Sequence, residues 1–114
     1  MEHCLFCRIA QEKAAADIVF KNERIVAFRD INPQAPVHIL IIPKKHIATI
    51  NDIEPEDAAM IGELFLVAKD IAKTENIHHK GYRLLFNCNR DAGQAVYHIH
   101  LHLLGGRRMN WPPG

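Results

Sequence analysis

The chain has 114 residues, 48% of them hydrophobic and 24% charged, and its formal net charge is +1. These values are ordinary for one globular domain, and we expect a single domain over residues 4–114. The nearly balanced charge, without a basic run or an apolar segment that would cross a bilayer, argues against nucleic-acid and membrane partners.

The first half of the chain predicts a hairpin followed by a buried strand. Residues of high β propensity at 18–20 and 25–28 flank a short polar segment, a pattern typical of a hairpin. Two prolines within 32–36 favour a loop, because proline is excluded from central strands. The strongly apolar run at 37–42 predicts a buried strand that stops at Pro43.

The second half predicts one long helix and two further strands. Apolar residues recur at helical spacing over about 55–75, which favours a helix. Strands are predicted at 82–88 and 97–104, with a loop at 89–94 between them. Short connections and the lack of a βαβ series indicate an α+β domain, in which a mainly antiparallel sheet packs against the long helix.

Three histidines, His98, His100 and His102, alternate with apolar residues in the last predicted strand. Because a strand points alternate side chains to opposite faces, all three imidazoles are expected on one face. Imidazole titrates near neutral pH, binds metals and acts in acid–base chemistry. Two interpretations of this pattern stay open: a three-histidine metal site with an open position for water, and nucleophilic catalysis by imidazole.

Two other features belong near these histidines. The segment 91–95 directly precedes them, and its Gly93 allows backbone amides to approach an anion closely. A phosphate held there would lie within reach of His100. His38 falls in the apolar run and is expected to be partly buried, either facing the same cavity or as an ordinary strand histidine.

Cys4 and Cys7 have the spacing of half a tetrahedral zinc site. The missing ligands would be histidines, for which the chain offers His38, His46 and His98. The alternative is a pair of unliganded thiols. The total of three cysteines is odd, which does not suit a secreted disulfide framework. It indicates a reducing compartment, and we expect a cytoplasmic protein.

Beyond these features, the sequence resembles a known family. The segment 98–104 is similar to the His-φ-His-φ-His-φ-φ signature of the histidine triad (HIT) family, in which φ is apolar. Further parts of the chain resemble its Hint branch, the histidine triad nucleotide-binding proteins. These parts are 30–38, 42–46, Gly93-Gln94, and Gly105-Gly106-Arg107 with the terminal 111–114. The similarity extends from about Leu5 to the end.

The resemblance implies a fold and an activity. The HIT fold has a mainly antiparallel five-stranded sheet with one long and one short helix, and Hint proteins are homodimers whose sheets join into one. They bind purine mononucleotides and cleave the P–N bond of purine nucleoside phosphoramidates through a nucleotidyl-histidine intermediate. The products are an amine and the nucleoside monophosphate, and no cofactor is required for catalysis.

The resemblance also implies roles for individual residues. His100 matches the nucleophile, His102 a histidine that contacts the phosphate, and His38 a fourth histidine that supports the triad. Asp30 matches the carboxylate that holds the ribose hydroxyls. The other matched nucleotide contacts are the base-pocket residues Phe6, Ile9, Phe28 and Ile31, the asparagine Asn87, the phosphate loop of Gly93, Gln94 and Ala95, and Trp111, which reaches toward the second subunit's active site.

Two positions set this chain apart from parts of the family. Ala95 stands where many Hint enzymes have a serine, whose hydroxyl bonds the phosphate and helps to protonate the leaving amine. Without it, either the phosphoramidase activity is weakened or the proton comes from His102 or water. Some Hint members lack the N-terminal cysteine pair, whereas other HIT proteins use it with two histidines, here His46 and His98, to bind structural zinc.

Four functions follow from these observations. The first is a nucleoside phosphoramidase that acts through His100. The second is a nucleotide-binding or protein-interaction module with weak catalysis, which Ala95 favours. The third is hydrolysis of dinucleoside polyphosphates, against which the Hint-like C-terminal tail argues. The fourth is a hydrolytic metalloenzyme with three histidine ligands.

Overall fold

Five strands and three helices form the structure, a computed structural model that describes residues 1–114. The helices are α1 (Leu5–Ala10), α2 (Ala58–Thr74) and α3 (Asn89–Ala92). The strands are β1 (Ile18–Lys21), β2 (Ile25–Arg29), β3 (Val37–Pro43), β4 (Tyr82–Leu85) and β5 (Leu101–Gly105). None of the helices is both long and apolar enough to span a membrane.

The strands make one sheet in the order β1-β2-β3-β5-β4, and every neighbouring pair is antiparallel. The apolar strand β3 lies at its centre. In the pairing of β3 with β5, His38 lies opposite Leu104 and Leu40 lies opposite His102. His38 and His102 are therefore diagonal neighbours on one face of the sheet. The predicted α+β class with a five-stranded antiparallel sheet is confirmed.

Each face of the sheet carries its own apolar cluster. On one face, α2 packs against strand residues that include Ile39 and Leu103. On the other face, Phe6 of α1 belongs to a smaller cluster with Leu40. Because side chains alternate along β3, His38 lies with Leu40 on the face of the sheet that α1 covers. We call this the α1 face. The histidines are thus placed away from the main helix.

The predicted long helix is confirmed, and its start is tied down by side chains. Residues 55–57 form a 3-10 turn that leads into α2. Asp57 Oδ2 accepts a hydrogen bond from the Glu54 N–H (2.9 Å), and Asp57 Oδ1 accepts one from Lys45 Nζ (2.6 Å). These bonds satisfy a buried carboxylate and connect the end of β3 to the helix.

The histidine strand is shorter than predicted. β5 begins at Leu101 rather than at 97, so the first two histidines of the triad precede it. The neighbouring strand β3 ends at Pro43, which has no N–H to donate and cannot extend the ladder. The Ile99 N–H donates instead to the Ile47 carbonyl oxygen (2.8 Å).

The segment before the histidines also differs from the prediction. β4 ends three residues earlier than predicted, at Leu85, and the predicted loop contains α3. This helix ends at Gly93, which has a left-handed φ of 82° and donates its N–H to the Arg90 carbonyl oxygen (3.0 Å). Glycine adopts that conformation at little cost. Cys88, predicted in a strand, lies between β4 and α3 and is half-buried.

Candidate active site

Two cysteines and two histidines meet at the start of α1. Cys4 caps this helix, and its Sγ accepts a hydrogen bond from the Cys7 N–H (3.3 Å). Cys7 Sγ lies 3.3 Å from His46 Nδ1 and 3.4 Å from His98 Nδ1. Cys4 Sγ also lies 3.4 Å from His98 Nδ1. All four ligand atoms lie within 4.8 Å of one another, so the structure brings the predicted set together.

This donor set fits a structural zinc ion. Two thiolates and two imidazoles are a common tetrahedral set, in which sulfur and nitrogen ligands stand about 3.5 Å apart. His98 Nε2–H donates to the Pro43 carbonyl oxygen (2.7 Å), so the lone pair of its Nδ1 faces the sulfur atoms. Burial lowers the pKa of His98 to about 4, which keeps that lone pair available.

The middle histidine of the triad has a defined tautomer. His100 Nδ1–H donates to the backbone carbonyl oxygen of His98 (2.8 Å), which leaves the lone pair on Nε2. The His100 ring packs nearly perpendicular to the ring of Phe6, with the centroids 5.0 Å apart. Burial lowers the pKa of His100, so the imidazole stays neutral even at pH values somewhat below the ordinary pKa of histidine. These are the properties that a nucleophilic imidazole requires.

A chain of hydrogen bonds sets the protons of the other two histidines. The Gln34 N–H donates to His38 Nδ1 (3.0 Å), so the His38 proton is on Nε2. That Nε2–H donates to His102 Nδ1 (2.9 Å), which places the His102 proton on Nε2. His102 Nε2 is buried and has no hydrogen-bond partner in the chain. Since buried donors are normally paired, this N–H is the group that a ligand oxygen would satisfy.

Burial also keeps these two imidazoles uncharged. It lowers the pKa of His102 to about 4, and the positive charge that His100 and His38 would carry adds to the effect. Burial likewise lowers the pKa of His38, although the Asp30 carboxylate opposes this, with Oδ2 3.4 Å from His38 Nε2. The neutral form is the one that the hydrogen-bond chain needs, because His38 Nδ1 must accept the Gln34 N–H.

The three histidines of the triad share the α1 face but not a common function. Nδ1 of His98 faces the two thiols, Nδ1 of His100 is bound to a carbonyl oxygen, and Nδ1 of His102 is bound to His38. The ring centroids of His100 and His102 lie 4.9 Å apart. His98 Nε2 is also bound, to the Pro43 carbonyl oxygen, so His98 has no nitrogen left for a metal shared with the other two. The geometry therefore does not support a metal site built from these three imidazoles.

The four predicted base-pocket residues separate into two groups. Phe6, Ile9 and Phe28 are buried together on the α1 face, with the rings of Phe6 and Phe28 5.3 Å apart. Ile31 is 99% exposed on the loop that follows β2. Asp30 begins that loop, and its Oδ1 accepts the backbone N–H two residues further on (2.8 Å). Asp30 Oδ2 also lies 3.4 Å from His38 Nε2, so the ribose candidate lies beside the histidines, whereas Ile31 is exposed to solvent.

The predicted phosphate loop is held in shape by its own residues. The amides of Gly93 and Gln94 donate to carbonyl oxygens of α3, and the buried Gln94 side chain bonds three further backbone groups. The Ala95 N–H makes no backbone hydrogen bond, and the residue is exposed. Ala95 therefore offers the amide of this loop that is available to an anion.

The remaining predicted contacts lie at the edges of the site. Asn87 is half-buried between β4 and α3, and Trp111 is 83% exposed in the C-terminal tail. Sequence reasoning missed three groups that set the imidazole protons: the Gln34 N–H and the carbonyl oxygens of Pro43 and His98. Any residue supplies a carbonyl oxygen, and any but proline an N–H, so no residue type marks such a role.

Known proteins share this sequence and fold. The model of the HIT domain family matches residues 11–109. A purine nucleoside phosphoramidase from Escherichia coli (strain K12) is 50% identical over 108 residues, which cover 95% of this chain and 91% of the relative. The crystal structure of a HIT family hydrolase from Legionella pneumophila Philadelphia 1 has 58% identity and a TM-score of 0.97, covering 98% of this chain and 100% of that one.

A more distant structure contains a bound metal. A Zn-bound histidine triad family protein from Mycobacterium smegmatis has 30% identity and a TM-score of 0.79, over 93% of this chain and 76% of that one. Together with the histidine pattern and the antiparallel sheet, these matches confirm the family resemblance, and the chain belongs to the HIT domain family.

Proposed function

We propose that the chain is a nucleotide-binding hydrolase that cleaves the P–N bond of purine nucleoside phosphoramidates, such as an amine joined to adenosine monophosphate. The observation that carries this proposal is the tautomer of His100. Its Nδ1–H is held by a carbonyl oxygen at 2.8 Å, and its Nε2 keeps the lone pair that attacks phosphorus. The similarity to the phosphoramidase from Escherichia coli supports the substrate class.

The reaction runs as two displacements at phosphorus. In the first, His100 Nε2 forms a bond to phosphorus while the P–N bond breaks, and the amine leaves with the electron pair of that bond and gains a proton. In the second, water attacks phosphorus and loses a proton, the bond from phosphorus to Nε2 breaks, and the lone pair returns to His100. The intermediate divides one difficult hydrolysis into two easier transfers.

His102 and His38 are proposed to stabilise the charge that grows on the phosphate oxygens. The His102 Nε2–H is buried and without a partner, and a fixed donor in a site shielded from water favours a developing negative charge. His38 keeps that donor in place by donating to His102 Nδ1. Both displacements use side chains and water, so the proposal includes no cofactor for catalysis.

The leaving amine needs a proton, and the methyl group of Ala95 has none to give. We infer that the proton comes from His102 Nε2–H or from a water molecule. The second source is favoured, because the neutral His102 carries a single proton, on Nε2, and losing it would leave an imidazolate anion. The Ala95 N–H, which is free of backbone bonds, is proposed to hold a phosphate oxygen instead.

Nucleotide recognition is proposed for the α1 face and the loops beside it. The Asp30 carboxylate is suited to accept two ribose hydroxyl hydrogen bonds, and flat apolar side chains suit a purine ring. The proposed base contacts are Phe6, Ile9, Phe28 and Ile31, and the other proposed contacts are Asn87, Gly93, Gln94 and Trp111.

We propose that Cys4, Cys7, His46 and His98 hold a structural zinc ion. The four ligand atoms lie within 4.8 Å of one another, and a Zn-bound protein of the same family supports the metal's identity. Bound zinc supplies a crosslink between α1 and the histidine segment. His98 then supports catalysis through its carbonyl oxygen, which holds the nucleophile, and does not touch the substrate.

A second copy of the chain is the proposed protein partner. Strand β4 forms one edge of the sheet, and an edge strand leaves backbone groups free to pair with another strand. A homodimer joined there would have one continuous sheet. The three free cysteines fit a reducing compartment, which supports a cytoplasmic location.

The nucleophile is tested by His100→Ala with an adenosine phosphoramidate as the substrate. We expect kcat to fall by about a thousandfold or more, because the covalent step is lost. His79→Ala is the matched control, since that histidine is exposed and stacks only on His78. Turnover that survives His100→Ala would refute the assignment of the nucleophile.

The second candidate is a nucleotide-binding module with weak catalysis, which the missing hydroxyl at Ala95 favours. Calorimetric titration with adenosine monophosphate, done beside the kinetic assay, separates the two functions. Tight binding with negligible turnover by the unchanged protein would select the binding module. Turnover that depends on His100 would select the hydrolase.

A further inference from the structure

The segment that follows β5 packs on the loop that leads into β3. Gly106 has a φ of +90°, and a Cβ placed on it would lie 2.9 Å from the Pro36 Cβ. Arg107 Nε donates to the Gln34 carbonyl oxygen (3.0 Å), and its Nη1 donates to the Arg108 carbonyl oxygen (3.1 Å). Two consecutive residues thus hold the same loop, one by close contact and one by a hydrogen bond.

Gln34 is also the first member of the hydrogen-bond chain in the active site. Its N–H donates to His38 Nδ1 (3.0 Å), and its side-chain Nε2 donates to the Asn32 carbonyl oxygen (3.0 Å). The N–H and the carbonyl of Gln34 belong to different peptide groups. The bond from Arg107 therefore acts by holding Gln34 in place, and not by polarising its N–H.

The position of the Gln34 N–H decides which nitrogen of His38 carries the proton. Without that donor, a neutral His38 can also adopt the tautomer with its proton on Nδ1. Its Nε2 then becomes a hydrogen-bond acceptor. His102 Nδ1 would lose its donor in turn. The His102 proton would be free to occupy Nδ1, and the buried Nε2–H that faces the ligand would be lost.

We propose that Arg107 is a positioning residue of the active site: through Gln34 it fixes the tautomers of His38 and His102 without touching the substrate. Its kinetic effect rests on the proposed hydrolysis, whereas its effect on the tautomers does not. Arginine suits this position because its planar guanidinium spans two carbonyl oxygens, those of Gln34 and Arg108, with fixed geometry.

The test compares four variants. Arg107→Ala removes the hydrogen bond, and Arg107→Lys keeps the charge and a donor. Gly106→Ala adds a methyl group that displaces the same loop by its contact with Pro36. Arg108→Ala is the matched control, because the neighbouring arginine takes part through its backbone carbonyl and keeps that group. Long-range ¹H–¹⁵N correlation spectra of the imidazoles, recorded without ligand, report which ring nitrogen of His38 and of His102 is protonated.

In the unchanged protein and in Arg108→Ala we expect one tautomer, with the proton on Nε2 of both histidines. Arg107→Ala and Gly106→Ala should each add the tautomer with the proton on Nδ1 of His38. With the phosphoramidate substrate, Arg107→Ala should lower kcat by about tenfold and change KM less, as is common for groups that orient a functional side chain. Arg107→Lys should recover part of the loss.

The outcomes separate this inference from the proposed function. If Arg107→Ala keeps the tautomers of the unchanged protein, the inference is wrong, whatever the kinetics. If the tautomers shift while the unchanged protein hydrolyses no phosphoramidate, the positioning role stands and the proposed hydrolysis fails. A loss of kcat as large in Arg108→Ala as in Arg107→Ala would also overturn the inference, because it would point to surface charge.

Discussion

At the scale of single residues, the proposed reaction depends on which nitrogen of each imidazole carries the proton. His102→Ala removes the buried Nε2–H, and we expect kcat to fall by about a hundredfold to a thousandfold, the usual cost of losing one donor to a developing oxyanion. His102→Gln should recover part of this activity, because its amide N–H reaches nearly as far as Nε2. Steady-state kinetics with an adenosine phosphoramidate measures both variants, with His79→Ala as the control.

The two variants also distinguish a donor from a shape-filling residue. If His102→Gln is as slow as His102→Ala although both bind adenosine monophosphate like the unchanged protein, the Nε2–H has no part in the reaction. A rise in KM with kcat unchanged would mean that His102 stabilises the substrate and the transition state equally.

The residue pattern predicted the shared face of the histidines but not their separate roles. Alternation along a strand follows from backbone geometry, so the common face of His98, His100 and His102 could be predicted from spacing. Their tautomers depend on the carbonyl oxygens of Pro43 and His98 and on one backbone N–H. Peptide groups carry no residue identity, so these contacts appear only once the chain is folded.

The helix α1 links the cysteine site to the predicted base pocket. Cys4 and Cys7 lie at its start, and Phe6 between them packs on His100. We expect a Cys4→Ser/Cys7→Ser variant to lose bound zinc, to melt lower by about 5 °C or more, and to bind adenosine monophosphate more weakly. Elemental analysis, calorimetry and titration measure these three quantities.

Cys88→Ser is the matched control, because that thiol lies outside the ligand set. It should keep the zinc content and the melting temperature of the unchanged protein. A metal content that stays the same after both α1 cysteines are replaced would exclude them as ligands. Zinc loss without any change in nucleotide affinity would show that α1 holds the pocket unaided.

Helices and strands with a regular pattern of apolar residues could be predicted from the sequence. Short elements that depend on tertiary contacts could not. The long helix and β3 follow from spacing and from the prolines at their ends. The late start of β5 arises because Pro43 of β3 cannot extend the ladder across to the histidines. The short helix α3 is closed by Gly93, and three of its four residues are polar ones that are typical of a loop.

For the molecule as a whole, the neutral histidines make stability depend on pH. The pKa of His102 falls from 6.5 in the unfolded chain to about 4 in the folded one, and burial lowers those of His38 and His100 as well. Between these values the unfolded chain binds more protons. The stabilisation is therefore complete above pH 6.5 and is lost as the pH falls toward 4.

Urea unfolding at several pH values measures this dependence. We expect the free energy of unfolding to drop steadily from pH 7 to pH 4.5, and the slope to be shallower in His102→Asn, where one of the buried imidazoles is absent. An unchanged slope in that variant would mean that protonation of His102 does not oppose folding.

The outer edge of the sheet and one side of α2 together leave an apolar surface for a second copy of the chain. β4 has no strand beyond it, and on α2 the side chains of Phe65 and Leu66 are 41% and 59% exposed. The Phe65 ring lies 6.2 Å from that of Phe86, just past the end of β4, so the surface continues from the helix to the sheet edge.

Light scattering should give twice the chain mass of 13.0 kDa. Phe65→Asp should shift the protein to the monomer because it buries a charge in the contact. Glu23→Lys, which is exposed in the turn between β1 and β2 at the opposite edge of the sheet, should leave the dimer intact. A monomer at micromolar concentration in the unchanged protein would refute the proposed continuous sheet.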